Sequence, residues 1–136
     1  MRLRILDHGH KLKNRLALKI MRAAAGTEVD DVAKTSLYRP LFFGRPWIRF
    51  ASSILRGKSE WSSMERELFG AFVSNLNTCK YCLHIHSSAA SPNSDHVITI
   101  GKLKNWREAG YNKNIYATLA ILEKLMLFPD SFSSAD

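Results

Sequence analysis

Acidic residues are scarce in this chain: twelve Asp and Glu stand against twenty Lys and Arg over 136 residues, a formal net charge of +8. Cysteine is scarcer still. Two residues are too few for the disulfide scaffold of a small secreted domain. No apolar run approaches the roughly 18 consecutive residues of a membrane span, and no charged-then-apolar signal sequence opens the chain. With four prolines and seven glycines, structure breakers are thinly spread. What is present is 46% hydrophobic and 24% charged, near the globular average, which argues against wholesale disorder. The length suits one domain, residues 1–136, around a single core. These features point to a soluble, cytoplasmic, single-domain protein.

The positive charge is unevenly placed. Residues 1–25 hold Arg2, Arg4, Lys11, Lys13, Arg15, Lys19 and Arg22 against Asp7 alone, a net +6. The remaining 111 residues carry 13 basic and 11 acidic groups, a net +2. The basicity is therefore assigned to one N-terminal helix over residues 1–25. Such a helix can touch phosphate or anionic lipid. A solvated flank is the favoured reading, because no nucleic-acid motif follows and no aromatic ladder interleaves the charges. No nucleic-acid partner is expected. A transit peptide fits poorly, since Asp7 is present and serine absent.

Hydrophobic periodicity is helical almost throughout. Leu12, Leu16, Ile20 and Ala24 form a stripe ending at Gly26. A shorter stretch around Val29, Val32 and Ala33 ends before Pro40. Trp47, Phe50, Ala51, Ile54 and Leu55 form the next stripe, with Pro46 near its start and Gly57 as C-cap. Ser62 and Glu65 make a capping box, followed by Met64, Leu68, Ala71, Phe72 and Asn75 on one face. Thr78 is the expected N-cap of a helix from Cys79 to about Ala90. Ser91–Ser94 reads as a loop. The β-branched stretch 96–100 lacks a partner strand and is assigned to helix. A turn at 109–112 precedes a helix over 115–127 that Pro129 stops. The class is all-α, with the aromatic and leucine stripes as core.

Both cysteines lie in Cys79-Lys80-Tyr81-Cys82, and His86 follows one turn later. At 100° per residue, Cys79, Cys82 and His86 fall within about a 60° arc of one helix face. Leu83, Ala89 and Ala90 share that side, which predicts an apolar, partly buried groove. Cys79 falls in the first helical turn, where free N–H groups favour a thiolate. His86 can accept the Cys82 proton or pair with its thiolate. A second thiol resolves the first by closing a disulfide. On the preceding helix Glu67 borders the apolar face, half-buried, where a carboxylate can orient the imidazole and relay a proton. Glu65 is a poorer candidate because the capping box employs it. Zinc is a rival reading, since C-x2-C-x3-H supplies three ligands. A fourth is not evident, with His84 pointing away and His96 across a loop. Two structural thiols are a third reading. His8, His10 and His84 read as exposed.

The pattern Glu67-x11-Cys79-x2-Cys82-x3-His86 on a helical background resembles the AhpD-like alkylhydroperoxidases of the carboxymuconolactone decarboxylase superfamily. The surrounding segments LYRPLFFGRP, LRGKSEWSSMERELFGAFVSNLNTCKYCLHIHSSAA and LAILEKLMLFPDSFSSAD are similar to its peroxidase-related members, from about Leu16 onward. The resemblance implies an AhpD-like helical bundle and an antioxidant thiol peroxidase or disulfide reductase. Cys82 would attack the peroxide and Cys79 would resolve the sulfenic acid, while His86 and Glu67 form the proton relay. Tyr81 stands where the founding type carries a His. The resemblance further implies a hydroperoxide substrate, a thiol or dithiol electron donor, and a homo-oligomer, trimer or hexamer. No haem, flavin or metal is implied. Ser133-x-x-Asp136 is a helix-start signal, and family members continue beyond it, so a last helical segment is expected to be missing. The alternative is a non-enzymatic zinc-binding module or a degenerate interaction subunit of the same fold.

Overall fold

The computed structural model describes residues 4–91 and 96–133. Among the described residues every regular element is helical, so the fold class is all-α. None of these helices is long and apolar enough to cross a membrane. The chain, read from sequence as one helical domain, gathers into two compact units, Met1–Gly57 and Lys58–Asp136. The Ser91–Ser94 loop and the Ser133-x-x-Asp136 signal extend beyond the described residues.

In the first unit the expected continuous basic helix is broken. Helix α1 (Ile5–His8) stops at Gly9, whose N–H bonds the Ile5 carbonyl at 2.7 Å. Helix α2 (Leu12–Ala25) begins after an extended Lys11 and ends at Gly26 with φ 67°, a left-handed cap that glycine adopts without strain. His10 lies in the break and is buried, contrary to the exposed position expected of it; His8 and His84 are exposed. The reason is a hydrogen bond. His10 Nε2–H donates to the Lys34 carbonyl at 2.8 Å, and Asn14 Nδ2 donates to the Leu37 carbonyl at 2.7 Å. Both carbonyls belong to α3 (Asp31–Tyr38), so polar contacts tie this helix to the preceding segment. A π-helical turn (Pro40–Gly44) leads directly into α4 (Arg45–Arg56). Gly57 is its C-cap as expected, in extended rather than left-handed backbone.

The stripes of these helices were expected to be core, and they are not. Leu12, Leu16 and Ile20 of α2 are exposed, as are Trp47, Phe50 and Ile54 of α4. Asn14 is the buried position of α2, and Leu6 is the one large apolar side chain buried in this unit among the described residues. Periodicity identifies a two-faced helix but not which face meets protein.

The second unit has a core of the usual kind. Helix α5 (Ser63–Leu76) starts at the predicted capping box: Glu65 N–H donates to Ser62 Oγ at 3.2 Å, and Ser62 N–H to Glu65 Oε2 at 2.8 Å. These bonds hold the Glu65 carboxyl below its ordinary range. Helices α6 (Lys80–Ala90), α7 (His96–Lys104) and α8 (Lys113–Leu127) follow, then a 3-10 turn at Pro129–Ser131. The stretch 96–100 is helical, as assigned. Asn112 caps α8 through its side chain, accepting from Ile115 N–H at 2.9 Å.

Ala71 and Phe72 of α5 meet Leu103, Trp106, Ile115 and Leu119 in one buried cluster. Phe72 and Trp106 pack edge to face with centroids 5.7 Å apart, an arrangement that favours the ring quadrupoles. Trp106 Nε1–H donates to Glu123 at 3.3 Å, and Arg107, stacked over Trp106 at 4.4 Å, pairs with the same carboxylate. Met64, expected on the buried face, is exposed in the first turn of α5.

Candidate active site

The site forms where α5 hands over to α6. Helix α5 ends in a Schellman motif: Thr78 N–H bonds the Asn75 carbonyl at 3.1 Å and Cys79 N–H bonds the Ser74 carbonyl at 3.0 Å. Thr78 therefore occupies the left-handed position, φ 55°, where a β-branched residue is strained. The expected role of Thr78 as N-cap of the next helix is thus corrected. Cys79 takes it instead, its Sγ accepting from the Cys82 N–H at 3.3 Å. One residue closes one helix and opens the next.

Cys79 and Cys82 are joined by a disulfide. Cys79, Cys82 and His86 are each partly buried, and the i to i+4 spacing sets His86 one turn beyond Cys82 on the same side of α6. Leu83 packs against the core and Ala90 is buried. Ala89, expected to line the same groove, is exposed. Tyr81 is exposed between the cysteines.

Glu67 reaches this face from α5. It was expected to be half-buried, and it is only 3% exposed. Its Oε2 lies 2.6 Å from His86 Nδ1. A buried carboxylate is costly unless it is paired and hydrogen-bonded, and the imidazole supplies that partner. With Glu67 ionised, Nδ1–H donates and Nε2 is the ring nitrogen left to exchange a proton. All four residues predicted for the site, Glu67, Cys79, Cys82 and His86, thus gather in two pairs on adjoining helices. Within this unit α5 and α6 share the most extensive helix–helix contact.

Gly70 belongs to the site and was not anticipated. A Cβ there would lie 3.0 Å from His86 Nδ1 and 3.1 to 3.2 Å from Cγ and Cε1, so the ring rests on bare backbone. Ser74, one turn on, donates to the Gly70 carbonyl at 2.7 Å. The available signal was a glycine inside a helix, where it costs about 1 kcal/mol relative to Ala and so asks for a packing reason. Among the described residues no group of three or more His, Cys, Asp or Glu is arranged to hold a metal ion.

No protein-family model matches this chain, and no curated protein matches it either.

Proposed function

We propose that the chain is a thiol-dependent peroxidase or disulfide reductase of the AhpD-like kind, acting on hydroperoxides through Cys82, Cys79, His86 and Glu67. The observation that carries this reading is the buried Glu67 carboxylate bonded to His86 at 2.6 Å, one helical turn from a cysteine bridge. A purely structural disulfide has no use for a neighbouring acid–imidazole pair. A thiol that must lose a proton on attack, and a leaving oxygen that must gain one, have use for both.

In this reading the reduced Cys82 thiolate attacks the terminal peroxide oxygen. The S–O bond forms as the O–O bond breaks, and a proton from His86 Nε2 reaches the departing alkoxide, leaving an alcohol and a Cys82 sulfenic acid. Cys79 sulfur then displaces hydroxide, which leaves as water with the Cys79 proton, and the Cys79–Cys82 disulfide closes. A thiol or dithiol donor returns two electrons and two protons by exchange through a mixed disulfide. Glu67 holds the imidazole in the tautomer that presents Nε2. This chemistry suits a reducing compartment such as the cytoplasm, and antioxidant defence. A homo-oligomer, trimer or hexamer, belongs to the same proposal.

The test is peroxide consumption by the full chain with a dithiol reductant, beside Cys82→Ser. Turnover in the parent and a loss of about a thousandfold or more in the variant are expected. Turnover that survives Cys82→Ser removes Cys82 as nucleophile. No peroxide consumption by the parent with any thiol donor removes the reading.

A further inference from the structure

We propose that the first unit, Met1–Gly57, docks on an anionic membrane surface, with α4 lying in the plane of the interface. Its charge sets it apart. Twelve basic residues against four acidic ones make this unit +8, whereas Lys58–Asp136 carries eight of each and is neutral. The basicity assigned from sequence to residues 1–25 therefore extends through the unit. From residue 32 to residue 59 there are six Lys and Arg and no Asp or Glu.

Helix α4 divides this charge from its apolar side chains. At 100° per residue Arg45, Arg49 and Arg56 share about a 40° arc, while Trp47, Phe50 and Ile54 share about 60° on the far side. All three of the latter are about half exposed or more, and Phe42, in the turn leading into the helix, is 86% exposed. A short helix with aromatic and aliphatic residues on one face and arginines on the other lies along the headgroup boundary, its apolar face in the acyl region. Helix α2 also exposes an apolar stripe, Leu12, Leu16 and Ile20, flanked rather than opposed by Lys19 and Arg15.

Charge and apolar exposure together select the partner. A nucleic-acid duplex would satisfy the arginines but keeps its bases stacked away from Phe42 and Phe50, and a single strand that stacks on those rings gives the aliphatic Ile54 no apolar medium. A second copy of this face would bring +8 against +8. An anionic bilayer satisfies both, through lipid phosphates and carboxylates for the arginines and acyl chains for the aromatics.

The experiment is co-sedimentation of the full chain with vesicles of phosphatidylcholine alone or with about 30 mol% phosphatidylserine, at about 0.1 M and 0.5 M salt. Binding at least about tenfold tighter to the anionic vesicles, and weakened by the higher salt, is expected. Phe42→Ser with Phe50→Ser should lower partitioning about tenfold or more. Arg45→Gln and Arg49→Gln should each lower it roughly fivefold. Trp47 emission should shift to the blue on binding, a shift missing in Trp47→Phe. Circular dichroism verifies that the variants fold; if the serine pair does not, the lipid, salt and arginine results decide alone. Equal binding to both vesicles, or none, overturns the proposal. So does RNA, single-stranded or duplex, bound as tightly as the anionic vesicles. An oligomer that the phenylalanine pair dissociates, without vesicle binding, would make this face a subunit contact and overturn it too.

Discussion

In Lys58–Asp136, eight basic residues balance eight acidic ones, and α5, α7 and α8 contribute Phe72, Leu103 and Leu119 to one buried cluster that includes Trp106. In Met1–Gly57, twelve basic residues face four acidic ones, and Leu6 is the only large apolar side chain buried among the described residues. Both units are helical, and both show amphipathic stripes. The difference is reciprocity. An apolar stripe becomes core when another element offers a matching stripe, as α8 offers Ile115 and Leu119 to Phe72 of α5. In the first unit, α3 meets the preceding segment through carbonyls that bond His10 and Asn14 and through a Lys34–Asp7 ion pair, with polar contacts prominent among those that join the pieces. Chemistry follows the same division. The buried Glu67 carboxylate and its His86 partner lie in the second unit, on helices that share its core.

The sharpest separation of the units should come from turnover. In the proposed peroxidase reaction, Glu67→Gln is expected to slow peroxide consumption roughly 10- to 100-fold by removing the carboxylate that orients His86, while Leu16→Ala in α2 leaves the rate within about twofold. Comparable losses in both would mean the first unit shares the site.

Stability offers the next contrast. Leu119→Ala, at a fully buried position, should cost about 2–5 kcal/mol by cavity formation. Leu16→Ala, at an exposed one, should stay within about 0.5 kcal/mol. Denaturant unfolding of both variants reads this directly, and equal costs would erase the distinction between core and open stripe.

Smaller effects belong to the ends of α5. Ser62→Ala should cost about 1 kcal/mol through loss of the cap. Because Ser62 holds the Glu65 carboxyl below its ordinary range, the Glu65 contribution is fully present above the unfolded carboxyl value. It is lost as the pH falls through the lower folded one. Glu65→Gln should therefore flatten the acid side of the thermal midpoint against pH. At the other end, Thr78→Gly should raise stability by roughly 1 kcal/mol, since glycine takes φ 55° without the clash of a β-branched side chain. A destabilised glycine variant would show that the Thr78 side chain contributes more than its backbone strain removes.

Much of this was legible in the residues. Capping box, Gly26 stop, Pro129 stop and helical period are local signals, and the structure follows them. That Cys79, Cys82 and His86 share one side was legible because i to i+3 and i to i+4 spacing is itself geometry, and Glu67 because it borders the apolar face of α5. What escaped was non-local. His10 is buried by a carbonyl 24 residues away, and no local pattern announces that. Thr78 looked like a helix start, because capping propensity alone does not tell the end of α5 from the beginning of α6. Gly70 escaped because its role is defined by a ring on another helix.

The sulfur of Cys79 does two jobs, one in the bridge and one as acceptor for the Cys82 amide at the start of α6. Oxidation state and backbone protection are thereby wired to a single atom. In the bridge this sulfur is a neutral, weak acceptor; reduction frees it to move relative to the Cys82 N–H at the helix start. Hydrogen exchange at the Cys82 amide should therefore differ between the bridged and the reduced chain, and equal rates in the two would show that this sulfur does not protect it.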